Sequence, residues 1–402
     1  MLALEGISVL EVAATPIASY CAMMLGDFGA DVLKIEAPPR KGAEMYASPA
    51  GEENRKKAAY NSWHRNKKNM VLNLRSEEGR EIFLKLSEKA DVIIEGFRPG
   101  VVKRLGIDYE TMSKLNNRII YCSISGYGQD GPYRDLPGHD LNYISIGGLL
   151  GLIGKSDGQP AIPLNTGADW AGGALHSVIG ILIALLARGN TGRGQYVDIS
   201  MTDGVISYLG MLMSNFFLQG MTPKRDDNAL CGSFPYYGVY KAEDGKYISI
   251  GCIEPWFWEN LCKELGREDL MSYVCTPEHM LRKTDEADWD KVFSELRDIF
   301  LTKTSDEWVK LLAPKNIPIT KVYDVDETFS DPQVLHRKML VELDHPDVGK
   351  VKQVGIPIKL SETPGEIRGF SPLLGENTDE TLQGLGYTAE KIDRLRKEGT
   401  VV

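Results

Sequence analysis

The chain has no CxxC pair, no GxGxxG turn, no excess of positive charge and no basic-then-apolar leader. Each absence excludes something. Cys21, Cys122, Cys231, Cys252, Cys262 and Cys275 are scattered among apolar or aromatic neighbours. That spacing argues against a zinc site or a disulfide framework and for reduced thiols in a cytoplasmic protein. A net charge of -10, from 46 Lys+Arg against 56 Asp+Glu, argues against non-specific nucleic-acid binding. Without GxGxxG after the first strand, dinucleotide binding of the usual kind is not expected. The apolar run over 179–187 lies in a helix whose apolar core is expected to be too short for a bilayer span and is closed by Arg188, so no membrane role is expected. No repeat or low-complexity tract is present.

What is there is 402 residues with 43% hydrophobic content, enough for a large core and two domains. Residues 7–12 read as a buried strand, 16–29 as a helix opened by Pro16, and 31–36 as a second strand: a βαβ unit. Further buried strands are expected over 70–73, 91–95, 118–125 and 196–199, with helices over 76–90, 101–115 and 202–217. The pattern then changes. Two antiparallel strands, 234–240 and 246–251, are followed by helices over 256–265, 289–301 and 305–312. The expected organisation is a large discontinuous domain, 1–224 and 326–402, and a small α+β domain, 225–325. For residues 317–322 and the Pro-bearing tail a return to the large domain is the other option.

Two stretches have the composition of a site. Arg55, Lys56, Lys57, Arg65, Lys67 and Lys68 crowd one segment, either as a solvated loop or as a phosphate site. In the stretch 138–198, His139 and Asp169 stand beside aromatic and small residues, ahead of an apolar helix. Asp is a favoured N-cap, so Asp169 is read either as the cap of that helix or as a functional carboxylate. His139 is read either as a structural histidine or as its partner. Arg98, in a Gly/Pro turn at a strand end, is placed to meet a ligand.

The segments LEGISVLEV, MLGDFGADVLKIE, DVIIEGFRPGVVKRLG, RIIYCSISGYGQDGP, GHDLNY, PLNTGADWAGG, GRGQYVD and IGCIEPWFW resemble the family III CoA-transferase superfamily (CaiB/BaiF-like). Within it the racemases of 2-methyl-branched acyl-CoA thioesters are more similar than the transferases. PLLGENTDE matches the tail more loosely. The resemblance implies an α/β fold with a Rossmann-like large domain, a smaller α+β domain and an interlocked-ring homodimer. It implies an acyl-CoA substrate, with coenzyme A as part of that substrate and no other cofactor or metal. It also implies CoA contacts at Thr15, Arg40, Leu72, Asn73, Arg75, Arg98 and Tyr127. Arg40 stands in for the arginine that racemases often carry just after the second strand.

By the same resemblance His139, Asp169 and Glu254 are the catalytic residues. A racemase moves an α-proton through an enolate, with His139 and Asp169 on opposite faces and Glu254 orienting the imidazole. N–H groups at the start of the helix after Asp169 would hold the thioester oxygen. The alternative is a CoA-transferase, in which Asp169 is the nucleophile and passes through an anhydride and an aspartyl-CoA thioester. The chain lacks the glycine run that transferases commonly carry in the small domain.

Overall fold

A computed structural model describes residues 1–13, 15–39, 48–284 and 288–402. Arg40 lies outside the described residues. The chain divides into two units: Met1–Tyr143, Asn165–Val205 and Asp331–Val402 form the first, and Ile144–Leu164 with Ile206–Ser330 the second. The second unit is larger than the 225–325 expected. It takes in residues 144–164 and 206–224, among them the helix Gly210–Gln219, which a break at Leu209 separates from Met201–Tyr208 where one helix over 202–217 was expected.

The first unit is built on a six-stranded parallel sheet: β1 (Ser8–Val12), β2 (Asp31–Glu36), β3 (Lys67–Val71), β4 (Val92–Glu95), β5 (Ile120–Ser125) and β6 (Tyr196–Ser200). The strand order is β3-β2-β1-β4-β5-β6. All five pairings are parallel. Strands buried on both faces are rich in apolar residues, and Val92–Glu95 and Ile120–Ser125, buried at every position, are apolar but for Glu95, Ser123 and Ser125. The order reverses between β1 and β4, so a crevice opens outside the carboxyl ends of these strands, where open α/β sheets bind ligands.

A second helical expectation changes as well. The helix over 101–115 is two, Val101–Leu105 and Tyr109–Leu115, because Gly106 turns left-handed at φ +69° and Asp108 caps the second on Thr111 N–H. The chain end returns to the sheet. Asn73 N–H donates to Thr400 O, and Leu72 bridges Val401. A hairpin of β10 (Leu340–His345) and β11 (Gly349–Val354) belongs to the same unit.

The second unit holds a three-stranded antiparallel sheet of β7 (Tyr237–Lys241), β8 (Tyr247–Gly251) and β9 (Ile319–Lys321), in that order. Residues 317–322 therefore do not return to the large domain: β9 pairs with β8, placing Ile319 beside Ile250. Its core is aromatic, with Phe234, Tyr236, Tyr240, Trp258, Trp289, Phe300 and Trp308 all buried.

Candidate active site

The loops that follow β1, β4, β5 and β6 enclose a cavity of about 500 Å³ at the switch point of the sheet. Its size suits a small-molecule site. Thr15 and Pro16 reach it from β1, Phe97 and Arg98 from β4, Tyr127 from β5 and Met201 from β6. His139, Tyr143, Asn165, Asp169 and Trp170 complete one side with Trp63. Trp63, Phe97, Tyr127, Tyr143 and Trp170 give the wall its rings, and Trp170 packs at a tilt against Trp63 at 5.1 Å and edge-on to Tyr20 at 5.4 Å.

Asp169 sits in the first turn of a wide-turned helix, Thr166–Leu175, that runs straight into the helix His176–Thr191. Glycine fixes where this helix lies. A Cβ on Gly172 would come 2.5 Å from Met201 O, and one on Gly204 would come 2.5 Å from Gly172 Cα, so only glycines permit the approach. The helix is not capped by Asp169. Asp140 Oδ2 accepts the N–H groups of Ala168, at 2.7 Å, and Asp169, at 2.8 Å. The expectation of Asp169 as a cap fails because Asp140, the neighbour of His139, fills that role. The same two bonds occupy the Ala168 and Asp169 N–H groups, so these two are not open to a thioester oxygen.

Freed from capping, the half-buried Asp169 carboxylate accepts from Asn165 Nδ2 at 3.0 Å, and Asn165 Oδ1 in turn accepts from Trp170 Nε1. Burial holds the Asp169 carboxyl above its ordinary range; the Asn165 hydrogen bond opposes this, the Asp140 charge adds to it, and His139 opposes it. His139 is exposed on the cavity. Its backbone N–H donates to Asn142 Oδ1. Within the first unit, among the described residues, its imidazole has no hydrogen-bond partner.

Of the expected residues, Thr15, Arg98, Tyr127, His139 and Asp169 come together in this cavity. Leu72, Asn73 and Arg75 do not line it; they follow β3 near the sheet edge, and the Leu72 side chain is buried in the core. Glu254 belongs to the second unit, where it precedes the helix Pro255–Leu265. The basic segment is not a free phosphate cradle. Arg65 pairs with Asp27 and Lys67 with Glu11, both buried, while Arg55 pairs with Glu52 and Glu376, and Lys68 with Glu380. Lys56 and Lys57 remain exposed. Among the described residues no group of His, Cys, Asp and Glu could hold a metal ion.

A model of "CoA-transferase family III" matches residues 4–378. The chain belongs to that family. Curated family III relatives align along nearly the whole chain. The human alpha-methylacyl-CoA racemase is 32% identical, over 99% of this chain and 97% of its own. The succinyl-CoA–L-malate CoA-transferase beta subunit of Chloroflexus aurantiacus is 33% identical, over 100% and 98%. A CAIB/BAIF family protein from Brucella suis superposes with a TM-score of 0.80 at 29% identity, over 96% of this chain and 99% of its own. Family III membership makes this an enzyme of CoA-thioester chemistry, with coenzyme A entering as part of the substrate.

Proposed function

We propose that the chain is a CoA-transferase that moves coenzyme A between an acyl-CoA and a free carboxylic acid, with Asp169 as nucleophile. The observation that carries this reading is the state of Asp169: half-buried, on the cavity wall, and relieved of helix capping by Asp140. The transferase names of relatives such as the malate enzyme support it. The Asp169 carboxylate attacks the donor thioester, expelling CoA thiolate and forming an acyl-aspartyl anhydride. The thiolate attacks the aspartyl carbonyl, releasing the donor acid and leaving an aspartyl-CoA thioester. The acceptor carboxylate expels the thiolate again, and attack of the thiolate on the acceptor acyl carbon regenerates Asp169. No proton is gained or lost over the cycle.

A second reading, racemisation of a 2-methylacyl-CoA, is favoured by one observation: His139 lines the same cavity as Asp169. In it Glu254, which precedes the helix Pro255–Leu265 of the second unit, would be the carboxylate that orients the imidazole. Thr15, Arg98 and Tyr127 would contact the CoA portion in either case. All six cysteines are free, which supports a cytoplasmic setting. Exposed Ile179, Ile183 and Leu186 on the helix His176–Thr191 support a homodimer, of the interlocked kind the resemblance implies. That helix joins the preceding one into an apolar stretch, Thr166–Thr191, long enough to span a bilayer. Its buried Arg188 pairs with Asp91 at 2.8 Å, and Val178, Ile181 and Ala184 are buried, which supports a place on the sheet instead.

The test is a pair of incubations, with Asp169→Ala beside each. Succinyl-CoA with a dicarboxylic acid such as L-malate yields a new acyl-CoA if the chain is a transferase. A 2-methylacyl-CoA alone in D₂O gains α-deuterium if it is a racemase. New acyl-CoA lost in Asp169→Ala supports the proposal; deuterium without acid exchange replaces it with the second reading.

A further inference from the structure

Asp140 stands out among the polar residues of the first unit that the chemistry above does not use. It is 4% exposed, yet it follows the exposed His139 directly in the chain. One oxygen, Oδ2, accepts two consecutive backbone N–H groups, those of Ala168 and Asp169. The other, Oδ1, is buried without a hydrogen-bond partner. A buried carboxylate with one oxygen unpaired is costly, and in low dielectric its charge acts strongly on what lies near. What lies near is Asp169, whose own backbone N–H it holds. Asn165 grips the Asp169 carboxylate from the other end of the same turn.

We infer that Asp140 is the positioning residue for Asp169: by holding the Ala168 and Asp169 N–H groups it fixes the turn that presents the Asp169 carboxylate to the cavity, and it sets a second buried carboxylate close to the first. The inference rests on Asp169 being the reacting group, as proposed above, and holds for attack on a thioester or for proton abstraction alike. It also gives the two-residue step His139-Asp140 a divided task, one side chain facing the cavity and the next buried beneath it.

Two variants separate geometry from charge. Asp140→Asn keeps an oxygen able to accept both N–H groups and removes the charge; Asp140→Ala removes both. Turnover is read in whichever of the two assays the wild-type chain performs. Asp140→Ala should lower kcat by roughly a hundredfold with KM changed far less, the scale of a misplaced reacting group. Asp140→Asn should recover much of that loss, while the acid limb of its kcat profile moves to lower pH. The direction follows from charge: without a neighbouring anion Asp169 ionises more readily. A second readout needs no turnover. In carboxyl-¹³C-aspartate protein, with the Asp169 signal assigned by its loss in Asp169→Asn, the Asp169 titration should move to lower pH in Asp140→Asn. A kcat for Asp140→Ala within threefold of wild type overturns the inference, as does an unmoved Asp169 titration in Asp140→Asn. Asp169→Ala with undiminished turnover would instead overturn the function proposed above, so the two failures are distinguishable.

Discussion

The two units solve the problem of a stable interior in different ways. The first buries charge. Lys67 pairs with Glu11, Arg65 with Asp27 and Lys34 with Glu36, all with side chains at most 5% exposed. The second buries rings, from Phe234 stacked on Tyr236 to Phe300 set edge-on to Trp308. Buried ion pairs are poor net stabilisers, but removing one partner strands the other in low dielectric. Ring packing is strong and degrades gradually. The comparison teaches that the unit bearing the cavity is the one built from polar contacts that each need a specific partner, and Asp140 with Asp169 belongs to the same style of construction.

The largest effect on stability is expected from Lys67→Met, which among the described residues leaves the buried Glu11 side chain with Ser19 Oγ alone as a donor. Urea unfolding should show a loss of about 3–5 kcal/mol; a loss below about 1 kcal/mol would mean that the first unit tolerates an unpaired interior charge. Next comes Glu95, buried at the end of β4 and accepting Phe97 N–H, with burial pushing its carboxyl up to about 7. Its folded value lies above its unfolded one, so folding favours the protonated form. The penalty is absent below the unfolded pKa, grows as pH rises and is complete above about 7. Glu95→Gln should therefore stabilise the chain by roughly 3 kcal/mol at pH 8 and far less at pH 5. An equal effect at both values would contradict it.

The second unit should respond more mildly. Trp258→Phe removes ring volume and the indole donor to Leu270 O, and is expected to cost about 2 kcal/mol in urea unfolding. Thr304→Ala removes the capping box that Thr304 forms with Glu307, for about 1 kcal/mol. Should either match the Lys67→Met loss, the contrast between the units would fail.

These same differences explain what could be read from the chain in advance. The parallel strands were legible because Val92–Glu95 and Ile120–Ser125 are short, mostly apolar and β-branched or aromatic in part, and the β7–β8 hairpin because Asp244-Gly245 marks its turn. The break at Gly106 was missed because one glycine in a helical pattern is tolerated as often as not. His139 and Asp169 were legible through their surrounding motifs. Asp140 was not singled out as a cap, since its bonds to residues 28 and 29 further on leave no local periodicity; Asn165 was not singled out either, although its partners Asp169 and Trp170 lie one turn away. Asp140 had a signal, its place beside His139, that only the fold converts into a role. The basic segment misled for the opposite reason: its cations looked unpaired because Asp27, Glu11, Glu376 and Glu380 are distant in the chain.

The most direct test of the central claim is to trap the acyl-enzyme. The chain is incubated with succinyl-CoA, quenched with hydroxylamine, digested, and the peptide containing Asp169 is weighed. Hydroxylamine captures an aspartyl thioester or anhydride as the hydroxamate, so modification confined to Asp169 and dependent on succinyl-CoA is the predicted result. An unmodified Asp169 peptide, alongside α-deuterium uptake by a 2-methylacyl-CoA in D₂O, would contradict the account and make Asp169 a proton carrier rather than a nucleophile.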